Sequence, residues 1–317
     1  MNGWLLTADG KRWELPAMLE WELDYGCATP CDSFRVVCLW SAGQERLLAG
    51  AVRFEACEGE ETVFVGVVDE CVVTRADGGE RLEISGRGLA ALLLDNEAQS
   101  AEYAAATPED ILRDHVRPYG IEVARQDALP AVRGFAISAG SSEWSVLYQF
   151  ARFYGGITPR FDRKGRLILA GWDDSVTRKV DGKTAVTAQI IKFCRYGVLS
   201  EVWVWDRGKS AKVEKVVDQA FKDVGGQSRR MITMPEKSDY QAMRYQGQYQ
   251  LEKSRQRQVE LELELPVVFA AWPGELVEVA RGDAAVDGTW RVARAVVSMD
   301  DGGYRTRLEL LPPDIML

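Results

Sequence analysis

Residues 66–96, GVVDECVVTRADGGERLEISGRGLAALLLDN, restrict the fold more than any other stretch of the sequence. Apolar residues crowd the first run, then Leu82 and Ile84 alternate with charged neighbours, as in a half-buried strand. Asp77-Gly78-Gly79 separates the two runs and marks a hairpin, because glycine accepts the positive φ of tight turns. Gly86 and Gly88 interrupt the second strand, and LAALLLDN reads as a short buried helix. Either glycine is expected to hold a positive φ that turns the strand sharply into that helix. Such a unit needs sheet partners. FRVVCLW and the other short Val-, Phe- and Ile-rich runs supply them, so residues 1–92 read as a first β-barrel or sandwich.

Residues 93–182 read as an α+β module. Thr107-Pro108-Glu109-Asp110 is a helix start: a hydroxyl cap, proline at the first helical position, and carboxylates over the positive end of the dipole. Pro118 should stop that helix by Arg117. A second helix is expected from Ser141 or Ser142, with Trp144, Leu147, Phe150, Ala151 and Tyr154 on one face and Gly155-Gly156 ending it. ITPRFDRKGRLILAG then reads as a hairpin turning at Arg163-Lys164-Gly165.

The chain returns to strands in AVTAQIIKFCRYG and LSEVWVWDRG. A basic helical insertion over 209–257 is expected next. KSAKVEKVVDQAFK places Val213, Val216, Val217, Ala220 and Phe221 on one helical face, and Ser238 with Gln241 resembles a capping box for a helix reaching about Ser254. In VELELELP, Val259, Leu261, Leu263 and Leu265 alternate with Glu260, Glu262 and Glu264, a strand with one apolar and one acidic face. Residues 183–208 and 258–317 together are long enough for a second barrel; each alone is short.

The chain has 317 residues and a net charge of -9, unevenly distributed. Residues 1–92 carry -8, residues 93–180 carry -1, residues 181–258 carry +6 and residues 259–317 carry -6. A duplex-DNA reader would present a net basic face, so that class is disfavoured. The single histidine, His115, excludes metal sites that need two imidazoles and reads as a partly exposed residue near a helix end. Cys27, Cys31, Cys38, Cys57, Cys71 and Cys194 follow no zinc or redox spacing and read as small hydrophobes. GRGLAA lacks the Lys-Ser/Thr of a phosphate loop, and Asp173-Asp174 and Asp300-Asp301 sit in turn-like settings. The expectation is therefore no catalytic residue, metal or cofactor. No run is long and apolar enough to span a bilayer, and no secretory signal opens the chain, so synthesis and folding in a cytoplasm are expected.

Taken in order, these elements resemble the phage tail baseplate hub family, which includes late-control D-type hub proteins and the hub half of type VI secretion spikes. The resemblance rests on Gly66, Val68 and Asp69, then Ile84, Ser85, Gly86, Arg87 and Gly88, then a Leu-rich helix closed by Asp95. The C-terminal strands also match, through Gly274, Val277, Gly288, Trp290, Val292, Gly303, Tyr304, Thr306 and Leu308.

The resemblance implies two tube-type β-barrels per chain, α+β and mainly β overall, with the α+β module between them and the helical insertion within the second. It implies a homotrimer joining a sixfold tail tube protein to a threefold central spike protein, beside other baseplate or tail-tip proteins, in a virion or tailocin-like particle. The spike is expected to be a separate polypeptide. DNA would be transient cargo, and no membrane anchoring is expected. Glu260, Glu262 and Glu264 are candidates to line the conduit, where negative charge repels DNA. A host-receptor or carbohydrate-binding tail module, and a cell-wall hydrolase of the tail tip, are the alternatives.

Overall fold

The computed structural model describes residues 1–27, 30–40, 45–77, 79–206, 213–234, 240–256 and 258–314. Strands hold about half of the described residues and helices 17%, which makes the fold mainly β. The chain forms two units. The first comprises Met1–Val176, Leu265–Glu275 and Arg294–Arg307; the second comprises Thr177–Glu264, Leu276–Ala293 and Leu308–Leu317.

The first unit opens with β1 (Asn2–Thr7), β2 (Arg12–Glu14), β3 (Met18–Gly26), β4 (Ser33–Leu39), α1 (Glu45–Gly50), β5 (Ala51–Glu58), β6 (Glu61–Ala76) and β7 (Gly79–Gly88). These strands pair antiparallel in the order β3-β4-β7-β6-β5-β1-β2. β6 and β7 form the expected hairpin, with Ala76 opposite Gly79; Gly78 lies outside the described residues. Alternation turns Phe34, Val36 and Cys38 of β4 and Leu82 and Ile84 of β7 to one face. There they are buried with Trp21, Leu23 and Tyr25 of β3, and Phe34 stacks on Phe54 at a centroid distance of 4.3 Å.

α2 (Ala91–Leu94) follows the hairpin, then β8 (Ala101–Ala106), α3 (Pro108–His115), β9 (Val123–Gln126), β10 (Val132–Ile137), α4 (Glu143–Tyr148), β11 (Arg160–Phe161) and β12 (Leu167–Leu169). The start of α3 is where its cap residues put it. The Asp110 amide donates to the Thr107 hydroxyl at 3.2 Å, and the Thr107 amide donates to the Asp110 carboxylate at 3.0 Å. The helix expected to run on to Gly155 instead changes pitch after Tyr148, and residues Gln149–Tyr154 form a π-helical turn. Both helices bury apolar faces with Phe135, Phe150 and Leu167 in a core of their own.

The rest of the chain forms β13 (Thr177–Asp181), β14 (Ala188–Phe193), β15 (Glu201–Asp206), β16 (Val213–Val217), α5 (Gln219–Asp223), β17 (Arg229–Met234), α6 (Tyr240–Arg255), β18 (Val259–Leu265), β19 (Leu276–Ala280), β20 (Gly288–Asp300) and β21 (Gly303–Leu311), of which residues Arg294–Arg307 of the last two strands and their turn belong to the first unit. Here the helical expectation for KSAKVEKVVDQAFK fails. Val213, Val216 and Val217 lie in β16, paired with β15, and among the described residues of that run only the short α5 is helical. β16, β15 and β17 make a three-stranded sheet on which Val202 and Val204 pack against Met243 and Leu251 of α6. The capping box expected at Ser238 lies outside the described residues.

Within the first unit, Arg294 to Met299 of β20 pair antiparallel with β3. Among the described residues no sheet closes into a barrel. In the first unit the strand order runs out at β2, whose three residues are too few to carry a closing ladder.

Candidate functional site

The residues singled out between 66 and 95 converge on one corner of the first unit. Asp69 sits at a β-bulge: Val68 pairs with Gly86 and Glu70 with Ser85, which leaves Asp69 without an opposite residue. The bulge lets Asp69 reach Arg87, whose Nε and Nη2 donate to its two carboxylate oxygens at 2.7 and 2.9 Å. Arg87 also donates through Nη1 and Nη2 to Asp95, at 3.0 and 2.7 Å, just past the end of α2. One guanidinium thus ties the bulge of β6, the end of β7 and the end of α2 together. The two carboxylates raise the Arg87 pKa, and the hydrogen bonds from Arg87 hold Asp95 below the usual carboxylate range.

The glycines of this corner serve a different purpose from the one expected. Neither Gly86 nor Gly88 has a positive φ, and the reversal into α2 lies beyond them at Leu89 and Ala90. Gly86 is required by close approach. A β-carbon there would stand 2.0 Å from the Val67 carbonyl oxygen and 2.7 Å from the Phe34 ring. Gly66 faces Gly88 across the hairpin.

The C-terminal residues of the pattern do not join this corner as a cluster. Gly274 does have a positive φ of 94°, and a β-carbon on it would press the Trp172 ring at 2.8 Å. Thr306 is buried; its hydroxyl donates to the Val267 carbonyl at 2.7 Å and accepts from the Phe269 amide at 2.9 Å. Tyr304, half exposed, leans on Trp21. Gly288 opens β20, and Trp290, two residues on, is buried, with its indole N–H donating to the Val286 carbonyl at 2.8 Å.

On β18, Leu261, Leu263 and Leu265 are buried, as the alternation requires. Lys192, opposite Glu260 on β14, donates to Glu260 at 3.1 Å and also to Glu262. Thr187 donates to the Glu264 carboxylate at 3.1 Å. The acidic face is therefore partly neutralised, and Glu260 is only 8% exposed.

His115 corrects the sequence reading. It is 5% exposed, with Nδ1 2.6 Å from a Glu143 carboxylate oxygen and Nε2 3.1 Å from the Tyr103 hydroxyl. Tyr103 spends its own proton on Asp114 at 2.9 Å, so His115 Nε2 must donate to it. The Nδ1–Glu143 contact then holds one further proton, while Tyr119 donates to the other Glu143 oxygen at 3.1 Å. Burial, then the bond to Asp114, pushes the Tyr103 phenol up to about 12. No local signal marks this network, because Glu143 lies 28 residues away. Among the described residues no group of three or more His, Cys, Asp or Glu side chains could hold a metal ion.

The helices around His115 and the strands that flank them coincide with a known domain. Residues 90–171 match the family model described as baseplate hub protein gp44-like, second domain. This stretch is similar to a baseplate hub domain. Asp95 lies within the matched stretch, whereas Asp69 and Arg87 precede it, so the Arg87 corner fastens that stretch to the hairpin before it. Solved structures extend the likeness to the whole chain. The prophage MuSo2 43 kDa tail protein of Shewanella oneidensis aligns over 100% of both chains with a TM-score of 0.82 and 17% identity. The tail protein of Neisseria meningitidis MC58 aligns over 99% of this chain and 97% of its own, with a TM-score of 0.81 and 19% identity. An Escherichia coli type VI secretion component, described as similar to the T4 tail proteins gp27 and gp5, aligns over 93% of this chain and 73% of its own. Its TM-score is 0.58 and its identity 14%. No curated protein sequence matches the chain. The fold is that of phage tail proteins.

Proposed function

We propose that the chain is a structural hub of a phage tail or tail-like particle. In this reading three copies form a ring, the two β segments of each copy contribute open sheets to its wall, and the ring joins a sixfold tube to a threefold spike. The observation that carries it is the hub domain at 90–171 within a chain whose fold aligns end to end with phage tail proteins. The role is mechanical, without chemistry of its own. The net charges of -8 over 1–92 and -6 over 259–317 support a wall that repels passing DNA. Glu260, Glu262 and Glu264 are proposed to face the conduit, with Lys192 tempering their charge.

Co-purification with the neighbouring tube and spike proteins, followed by mass measurement, tests this reading. Three copies per spike trimer are expected; a monomer that binds neither partner overturns it. Particles carrying Glu260→Lys, Glu262→Lys and Glu264→Lys should assemble normally but deliver DNA or kill poorly. Wild-type delivery by such particles would remove the glutamates from the conduit.

A further inference from the structure

An unpaired strand edge presents a row of free amides and carbonyls, and proteins blunt such edges with short strands or charge. β2 has three residues, and β13 carries Arg178 and Lys179. Two longer edges, which carry charges of their own, also stay open. Among the described residues β14 pairs with β18 alone, and it exposes Ile190 and Phe193, at 47% and 69%. β6 is covered by β5 only as far as Val67; over residues 69–76 its outer edge meets no described strand, and Val72 is 41% exposed.

We infer that the β14 edge of one copy pairs antiparallel with residues 69–76 of β6 in the next copy, with Ile190 opposite Val72 and Lys192 opposite Glu70. The lengths agree, six residues against eight. So does the chemistry. In this register Ile190 covers Val72, Ala188 meets Thr74, and the Lys192 ammonium lies beside the exposed Glu70 carboxylate. Parallel pairing that keeps Ile190 on Val72 moves Lys192 to Thr74 and separates the opposite charges. At longer range the segment holding β14 carries +6 and the segment holding β6 carries -8, which favours contact between copies. The two edges are different surfaces, so the contact is head-to-tail, the kind that closes into a ring.

This inference rests on the ring reading above and names the surfaces that form the ring. The test uses the full-length chain and two variants, Ile190→Glu and Val72→Glu, each of which blocks one edge. Light scattering should give a closed oligomer for wild type and the 35.4 kDa monomer for each variant alone. Circular dichroism and thermal unfolding should show both monomers folded. Mixed together, the variants should form a 1:1 dimer and nothing larger, because one intact β14 edge then meets one intact β6 edge. A second chain, with Ile190→Cys and Val72→Cys together, should give disulfide-linked copies on oxidation. If wild type is monomeric at every concentration, the ring reading itself fails. If wild type is oligomeric and both variants keep its mass, the ring stands and these edges are not its contacts. A mixture that stays monomeric excludes the head-to-tail pairing.

Discussion

The Arg87 corner and the His115 network are both polar joints of the first unit, and they differ in access to water. Arg87 and Asp69 keep about a third of their side-chain surface and Asp95 keeps half, whereas His115 and Glu143 keep 6% and 9%. Water can solvate the partners of a broken exposed pair, so such pairs contribute little net stability. Around the buried His115 and Glu143 water does not replace a lost partner, and a stranded polar group costs its full desolvation. The exposed joint sets geometry; the buried one holds the core.

The largest effect should come from Glu143→Ala, which strands His115 and the Tyr119 hydroxyl. A loss of about 3–5 kcal/mol is expected from urea unfolding, in line with breaking a buried pair from one side. A loss below about 1 kcal/mol would place the network among surface pairs and dissolve the contrast. Gly86→Ala should rank next, at about 1–3 kcal/mol, because the methyl group must displace the Val67 carbonyl or the Phe34 ring. Thermal melting checks it, and an unchanged midpoint would show that the hairpin yields freely there.

The smallest effect is expected at Asp95. Arg87 depresses its pKa, so its contribution is complete above the ordinary carboxylate value, about 3.9, and is lost as pH falls through the lower folded value. Asp95→Asn should therefore cost no more than about 1 kcal/mol near neutrality. Its melting curve should converge with wild type as pH falls below about 4. A deficit that persists at pH 2 would mean that Asp95 acts through its shape rather than its charge.

What the sequence discloses follows from how local each signal is. The hairpin of β6 and β7, the Thr107 cap and the buried Leu261, Leu263 and Leu265 all depend on neighbours within a few residues, and each is where the pattern puts it. Val213, Val216 and Val217 also fit a helical face over so short a span. Their β-branched side chains settle in a strand because Glu201 to Trp205 offer a partner from outside the segment. His115 is buried because Glu143 arrives from another helix, and Gly86 is required because β4 and β6 press against it. Asp69, Arg87 and Asp95 were legible as a family pattern. Their union in one cluster was not, since it depends on a bulge that spacing does not reveal.

β3 and β20 have a consequence for how the molecule is made. Asp24 and Arg294, joined at 2.6 and 2.9 Å, are 270 residues apart in the chain. During synthesis β3 leaves the ribosome long before β20, its neighbour on one side. Until then Trp21, Leu23 and Tyr25 sit beside an open edge, and contacts of such separation form slowly. The nascent chain is thus exposed to aggregation until β20 emerges, and its yield should depend on how long that edge waits.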